Sequence, residues 1–209
     1  MSIRKTGLSY YIIYGMEKAS PKYLGLTGLN ASGKGTVAKL LIERGFNYYS
    51  LSDIVREEAT AMGLDHSREN LILVGNKLRK EHGPAVLAQK VVEKLVGAGR
   101  DLPLRDDIHP AVIDSIRNLA EINELRKLPG FILIAIDAPV KLRFERAKKR
   151  GRTGFEKTLQ DFIKIEQQEN SKDPARQQLF ECVKQADYIV VNDKTEKELK
   201  DKVATFFRR

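Results

Sequence analysis

What this 209-residue sequence has little of narrows its class first. A single cysteine, Cys182, rules out a disulfide framework and any multi-cysteine metal site, which fits a reducing compartment. That residue is expected to be a buried small hydrophobe. Tryptophan is absent, and no spacing of a zinc finger, an RRM or a helix-turn-helix occurs. One cysteine and three histidines also cannot supply the H-x-E with P-C-x-x-C of a zinc deaminase. No apolar run reaches bilayer length, and the N-terminal LSYYIIYG is too short and tyrosine-rich for a secretory signal, so a cytoplasmic location is expected. Residues 1–20 precede the first clear element, Met16 offers a second start, and this arm is expected to be poorly ordered.

What is there is enough for a core: 42% of residues are hydrophobic and 31% charged, in a length that suits one domain with inserted subdomains. A formal charge of +9 attracts anions, whether nucleic acid, a membrane surface or a phosphorylated small molecule. The basic residues are interleaved with acids, which argues against nucleic acid and leaves the small molecule in front.

Strand and helix patterns alternate. Lys22 to Thr27 is expected to be a buried strand, and Val37, Leu40 and Leu41 mark a helix over Thr36 to Arg44. Phe46 to Leu51 is a second strand candidate, after which Ser52-Asp53 offers an N-cap to a charged helical run. Residues 67–98 have helical periodicity in two pieces broken at Gly83-Pro84. Ala111 to Asp114 is a short strand candidate behind Pro110, whereas FILIAID, Phe131 to Asp137, has the continuous apolar pattern of a strand covered on both faces. A basic helix over Val140 to Arg150 follows, then a polar stretch over 151–176 with no evident core face. Asp187 to Val191 is the last strand, and Thr195 to Phe207 the last helix. Such alternation implies an α/β fold, a five-stranded parallel sheet flanked by helices.

Between the first strand and the first helix lies GLNASGKGT. Gly28, four residues, Gly33 and Lys34 fit G-x-x-x-x-G-K, a phosphate-binding loop. Glycines let the main chain approach a phosphate and turn its amides inward, the following helix offers its positive end, and Lys34 adds a full charge. Gly28, Asn30, Ala31, Ser32, Gly33, Lys34 and Gly35 would thus surround the phosphates of ATP. The hydroxyl residue that normally follows the lysine is displaced by one: Gly35 stands there and Thr36 comes next.

Three further clusters bear on what receives the phosphate. Asp53 and Arg56 fall at a strand end and helix start, where ligands bind in parallel sheets, though a capping aspartate and a solvated arginine would look alike. Asp114 and Arg117 follow the third strand, as a magnesium carboxylate with an anion-holding arginine or as an ordinary turn. Arg146, Arg150 and Arg152 end a basic helix, a place that also suits positive charge without any ligand.

Together these segments resemble nucleoside monophosphate kinases of the adenylate kinase type from Leu24 to Val191. GKGT is a normal loop variant there, and it implies that Thr36 is the metal-side hydroxyl. LSDIVREE is similar to the segment whose aspartate and arginine lie at the acceptor nucleotide, here Asp53 and Arg56. IDSIRN is similar to D-G-x-x-R, with Ser115 where glycine is usual, and implies that Asp114 faces magnesium while Arg117 holds the acceptor phosphate. RAKKR matches the R-x-x-x-R at a lid's root, so Arg146 and Arg150 would close on the transferring group. GNKLRKEHGPAVLA and ADYIVVND extend the match to an uncharacterised, largely archaeal branch, whose domains also occur attached to deoxycytidylate-deaminase-like domains, and Asn192 falls on the ATP side.

The resemblance implies a P-loop NTPase fold with a helical acceptor-binding insertion over 53–100 and a lid over 150–176. It further implies Mg²⁺, ATP as co-substrate and a phosphorylated small-molecule acceptor, with Lys34, Arg117, Arg146, Arg150 and Asp53 in catalysis. The chain is also similar to dephospho-coenzyme A kinase, in which Asp53 would act as a base toward a ribose hydroxyl. A nucleotide-sensing module without useful turnover is the third possibility.

Overall fold

The computed structural model describes residues 21–97, 109–151 and 158–207. The arm over 1–20 with Met16, residues 98–100 of the expected insertion and residues 152–157 of the expected lid, Arg152 among them, lie outside the described residues. Five strands, β1 (Tyr23–Thr27), β2 (Asn47–Ser50), β3 (Ala111–Asp114), β4 (Phe131–Asp137) and β5 (Tyr188–Val191), form one parallel sheet in the order β2-β3-β1-β4-β5. The fold is an α/β P-loop NTPase fold, as the alternating pattern requires.

Side-chain alternation along the strands explains both layers. Leu24, Leu26, Val112, Ile134, Ile136 and Val190 point to one face, where α1 (Lys34–Ile42) and α9 (Glu196–Ala204) cover them. Tyr23, Ala111, Ile113, Phe131 and Leu133 point to the other, under α2 (Leu51–Ala61), α3 (Arg68–His82), α4 (Val86–Val96), α5 (Leu119–Leu125) and α8 (Leu179–Lys184). Burial on both faces is what a purely parallel sheet needs. Cys182 is fully buried in the second layer, among apolar side chains.

Three local expectations are corrected. The cap of α2 is Ser50, whose hydroxyl accepts from Ser52 N at 3.2 Å, so the helix starts earlier and Asp53 sits in its first turn. Residues 151–176, expected to lack a core face, contain α7 (Leu159–Glu169), which buries Phe162 and Glu166. The face is easy to miss because one of its two buried residues is a carboxylate. The last helix ends at Ala204 and tightens into a 3-10 turn over Thr205–Phe207. The remaining helix of the second half, α6 (Val140–Lys149), packs against α7.

All five strands point their carboxyl ends the same way, and β1 lies between β3 and β4. The chain passes from β1 to one side of the sheet and from β3 to the other, which opens a crevice beyond the strand ends. The loop after β1, the start of α2 after β2 and the segment Asp114 to Arg117 after β3 begin at these strand ends.

Candidate active site

The loop between β1 and α1 is shaped by what it leaves out. Gly33 has φ 110, and a Cβ there would meet Asn192 Nδ2 at 2.2 Å. At Gly28, φ 137, a Cβ would meet the Ile136 carbonyl oxygen at 2.2 Å. Neither position has room for a side chain, and both backbones are left-handed. No side chain caps α1, and the amides of Thr36 and Val37 bond back to Gly33 O at 3.0 and 3.2 Å, so the helix start keeps its positive end for an anion. Ser32 Oγ is buried without a hydrogen-bond partner, a group that an oxyanion would satisfy.

Lys34 folds over this loop and donates from Nζ to the carbonyls of Gly28 (2.6 Å) and Leu29 (3.0 Å). Burial, reinforced by Arg117, pushes its pKa down to about 8. Asn30 and Ala31 stand at the loop's tip; Gly35 and Thr36 begin α1, the first exposed and the second half-buried.

Asn192, at the end of β5, clamps the loop from the far side. Its Nδ2 donates to Ser32 O at 2.8 Å, and its Oδ1 accepts from Arg146 at 3.2 Å. At the end of β3, Asp114 is buried and accepts from Tyr48 Oη at 3.2 Å and from Ser115 N at 2.5 Å. Burial and the Asp114 charge push the Tyr48 phenol up to about 12. Ser115 adopts φ 66, the left-handed conformation for which glycine is the usual choice.

Beside the loop lies a cavity of about 460 Å³ whose lining includes five arginines, Arg56, Arg68, Arg79, Arg117 and Arg150, and one carboxylate, Glu169. Arg117 donates to Gln177 Oε1 at 3.0 Å, a neutral amide. Burial pushes the Arg117 guanidinium below its ordinary value, and Arg68 and Arg79 work in the same direction. Arg79 forms a buried pair with Glu121, from Nε at 3.0 Å and Nη2 at 2.8 Å. The other oxygen of Glu121 accepts from the backbone amides of Arg117 (2.9 Å) and Asn118 (3.0 Å), so one carboxylate fixes both arginine and loop.

The structure therefore brings Asn30, Ala31, Arg56, Arg117 and Arg150 to one cavity wall. Arg146 instead reaches the back of the phosphate loop through Asn192 and Ser32 O. Asp53 is not on the cavity wall and is paired at 2.5 Å with Arg56.

Arg68, Arg79, Glu169 and Gln177 of the wall escaped the sequence reading. Arg79 lies in the matched segment GNKLRKEHGPAVLA, but nothing local separates it from its basic neighbours. The Asn118 to Glu121 capping box was legible and would have drawn attention to Glu121.

Arg143 was also missed. It is buried, donates to Ala138 O at 3.0 Å and to Asn30 O at 3.3 Å, and pairs with Glu166 of α7. Burial raises the Glu166 pKa against the opposing pull of Arg143.

Residues 27–164 match the protein family described as an AAA domain. The chain is similar to a UPF0200 protein of Pyrococcus horikoshii, 35% identical over 181 residues that cover 85% of this chain and 91% of the relative. A UPF0200 protein of Sulfurisphaera tokodaii is 31% identical over 188 residues, 90% and 97% of the two chains. Among solved structures it is similar to shikimate kinase from Acinetobacter baumannii in complex with shikimate, with a TM-score of 0.53 and 15% identity over 90% of this chain and 93% of that one. A gluconokinase from Sinorhizobium meliloti gives a TM-score of 0.51 at 13% identity, over 90% and 93%. At such identities the likeness is one of fold, that of P-loop kinases.

Proposed function

The chain belongs to the UPF0200 family and, over residues 27–164, to the AAA-domain family, and on that footing we propose that it transfers the γ-phosphoryl group of Mg·ATP to a nucleoside or deoxynucleoside monophosphate. The observation that carries this reading is Arg117, a cation with a desolvated guanidinium on the wall of a cavity beside the phosphate loop, bonded there to a neutral amide. A phosphate dianion is the partner such a group lacks. Arg56 and Arg150 on the same wall support the same acceptor class.

Magnesium fits the donors at hand. Asp114 keeps lone pairs beyond its bonds to Tyr48 and Ser115, Thr36 offers a hydroxyl, and Mg²⁺ is normally held by one or two such groups plus substrate phosphates. When bound, the ion would supply charge neutralisation to the phosphates. The chain's own groups do the rest: loop amides and Lys34 hold the triphosphate, and Asn192 and Arg146 keep the loop in shape. Arg117 orients the acceptor phosphate, which is largely dianionic at neutral pH and needs no base. Arg150 closes on the transferring group from the lid side. The apolar end of the cavity, at Val55, Leu71 and Leu87, suits the acceptor's base. Residues 53–100 act as the acceptor-binding insertion and 150–176 as the lid of one kinase domain, closing to keep water from the γ-phosphate.

A hydroxyl acceptor, as in dephospho-coenzyme A, would need a base, and the ion pair of Asp53 with Arg56 speaks against giving it that work. The test is a turnover assay with Mg·ATP across all monophosphates and dephospho-coenzyme A. A phosphorylated monophosphate is the expected product. Product from dephospho-coenzyme A alone would replace this reading, and tight binding without product would make the chain a nucleotide sensor.

A further inference from the structure

One carboxylate stands where the cavity is otherwise cationic. Glu169, at the last turn of α7 and with a side chain only 10% exposed, pairs with Arg68 through Oε1, which accepts from Nε at 2.7 Å. Its Oε2 accepts from Asn30 Nδ2 of the phosphate loop at 3.1 Å. It is also the strongest opposite charge acting on Arg117. One turn earlier on the same helix face, Glu166 holds Arg143, which donates to the Asn30 carbonyl at 3.3 Å. Asn30 is therefore held at its side chain by Glu169 of α7 directly and at its carbonyl by Arg143 of α6, which Glu166 of α7 holds in turn, and the grip on the side chain uses the carboxylate that faces the acceptor arginines. Arg68 and Glu169, with Ile72 and Gln177, also line a second cavity of about 340 Å³, so their pair belongs to the wall shared by two spaces.

We propose that Glu169 is a built-in stand-in for the acceptor's phosphate, a positioning residue that gives up Arg68 when an oxyanion enters and thereby also loosens its hold on Asn30, so that acceptor occupancy is transmitted to the ATP loop through α7. The inference rests on the acceptor reading above only for the identity of the oxyanion. A carboxylate and a phosphate cannot both be neutralised by the same guanidinium, so the two compete for it. Because the carboxylate's second bond is to the loop, the competition has a distant consequence.

The probe is inorganic phosphate, titrated calorimetrically into full-length protein already saturated with Mg²⁺ and a non-hydrolysable ATP analogue, which keeps phosphate off the loop. Glu169→Gln removes the charge and retains an oxygen for Asn30. Phosphate should bind it about tenfold tighter than wild type, the equivalent of about 1.4 kcal/mol. An affinity within twofold of wild type overturns the stand-in.

Transmission is read separately, as the change in affinity for the ATP analogue when phosphate is present. Wild type should show a change of threefold or more, and Asn30→Ala, which cuts the link but keeps the carboxylate, should lose that change, read as the ratio of its own analogue affinities with and without phosphate. Equal coupling in the two proteins overturns the relay, and this arm stands even if Glu169→Gln melts early. Phosphate affinities that respond to Glu169 while no monophosphate is ever phosphorylated would sink the proposed function and leave this inference in place.

Discussion

The phosphate loop and the arginine cavity meet at Asn30 and are built in opposite ways. The loop is made of main chain: its shape comes from absent side chains at Gly28 and Gly33, and all its parts lie within nine consecutive residues. The cavity is made of long side chains from α2, α3, the β3–α5 connection, the cap of α6, and α7, several of them held by carboxylates and amides far away in sequence. Backbone sites tolerate no change at a few positions and need few outside partners, here Asn192 and Arg146. Side-chain sites depend on every buried partner that positions them.

The largest expected effect strikes the loop side. Lys34→Ala should lower kcat by about 10³-fold or more, because a preorganised cation at the transferring group is lost. A steady-state assay with near-wild-type kcat would break the comparison outright. On the cavity side, Glu121→Ala should cost about 3–5 kcal/mol of stability by stranding the buried Arg79, whose partner side chain is fully buried. Denaturant unfolding checks this, and a loss under about 1 kcal/mol would mean water reaches Arg79.

Arg117→Ala comes next, with an expected rise of about 10–100-fold in acceptor KM and little change in ATP binding, worth about 1.4–2.8 kcal/mol. If ATP binding weakens instead, the division between the regions is wrong.

A smaller effect follows from Lys34's titration. Its pKa in the folded, nucleotide-free protein is pushed down to about 8, below its ordinary 10.5, so between those values the folded state binds fewer protons than the unfolded one. Folding stability from this group therefore rises with pH across that window, because the cost of a buried charge disappears. Nucleotide affinity goes the other way: above pH 8 the amine must take up a proton to meet the phosphates, and affinity should fall by up to about tenfold per pH unit. Calorimetry in buffers of different ionisation enthalpy would detect the proton uptake, and Lys34→Arg should abolish it. Smallest of all, Ser115→Gly should raise stability by up to about 1 kcal/mol, since the left-handed backbone at φ 66 strains any residue with a Cβ. A net loss in thermal unfolding would show that the Ser50 to Ser115 hydroxyl contact at 3.5 Å contributes more.

The same contrast decides what could be seen beforehand. The loop announces itself because Gly28 and Gly33 are required by local backbone geometry and Lys34 follows them at a fixed spacing. Ser115 was recognised as standing at a glycine position, and its positive φ bears out the conformational demand. By contrast Arg68, Arg79 and Arg143 look like any solvated helix arginine, since their meaning lies in Glu169, Glu121 and Glu166, between 23 and 101 positions away. Helix α7 was hidden for a related reason: its inward face carries Glu166, and a buried carboxylate weakens the apolar pattern by which helices are found.

By itself the sequence determined the parallel sheet, its strands and the phosphate loop, because alternation, apolar runs and glycine spacing act over a few residues. Only the tertiary structure decided which arginines face the cavity, that Asp53 is paired with Arg56 away from its wall, and that Glu169 joins the cavity to the loop. Charged side chains are long and interchangeable along a helix, and their roles are fixed by the partners that desolvate and bind them, which packing alone selects.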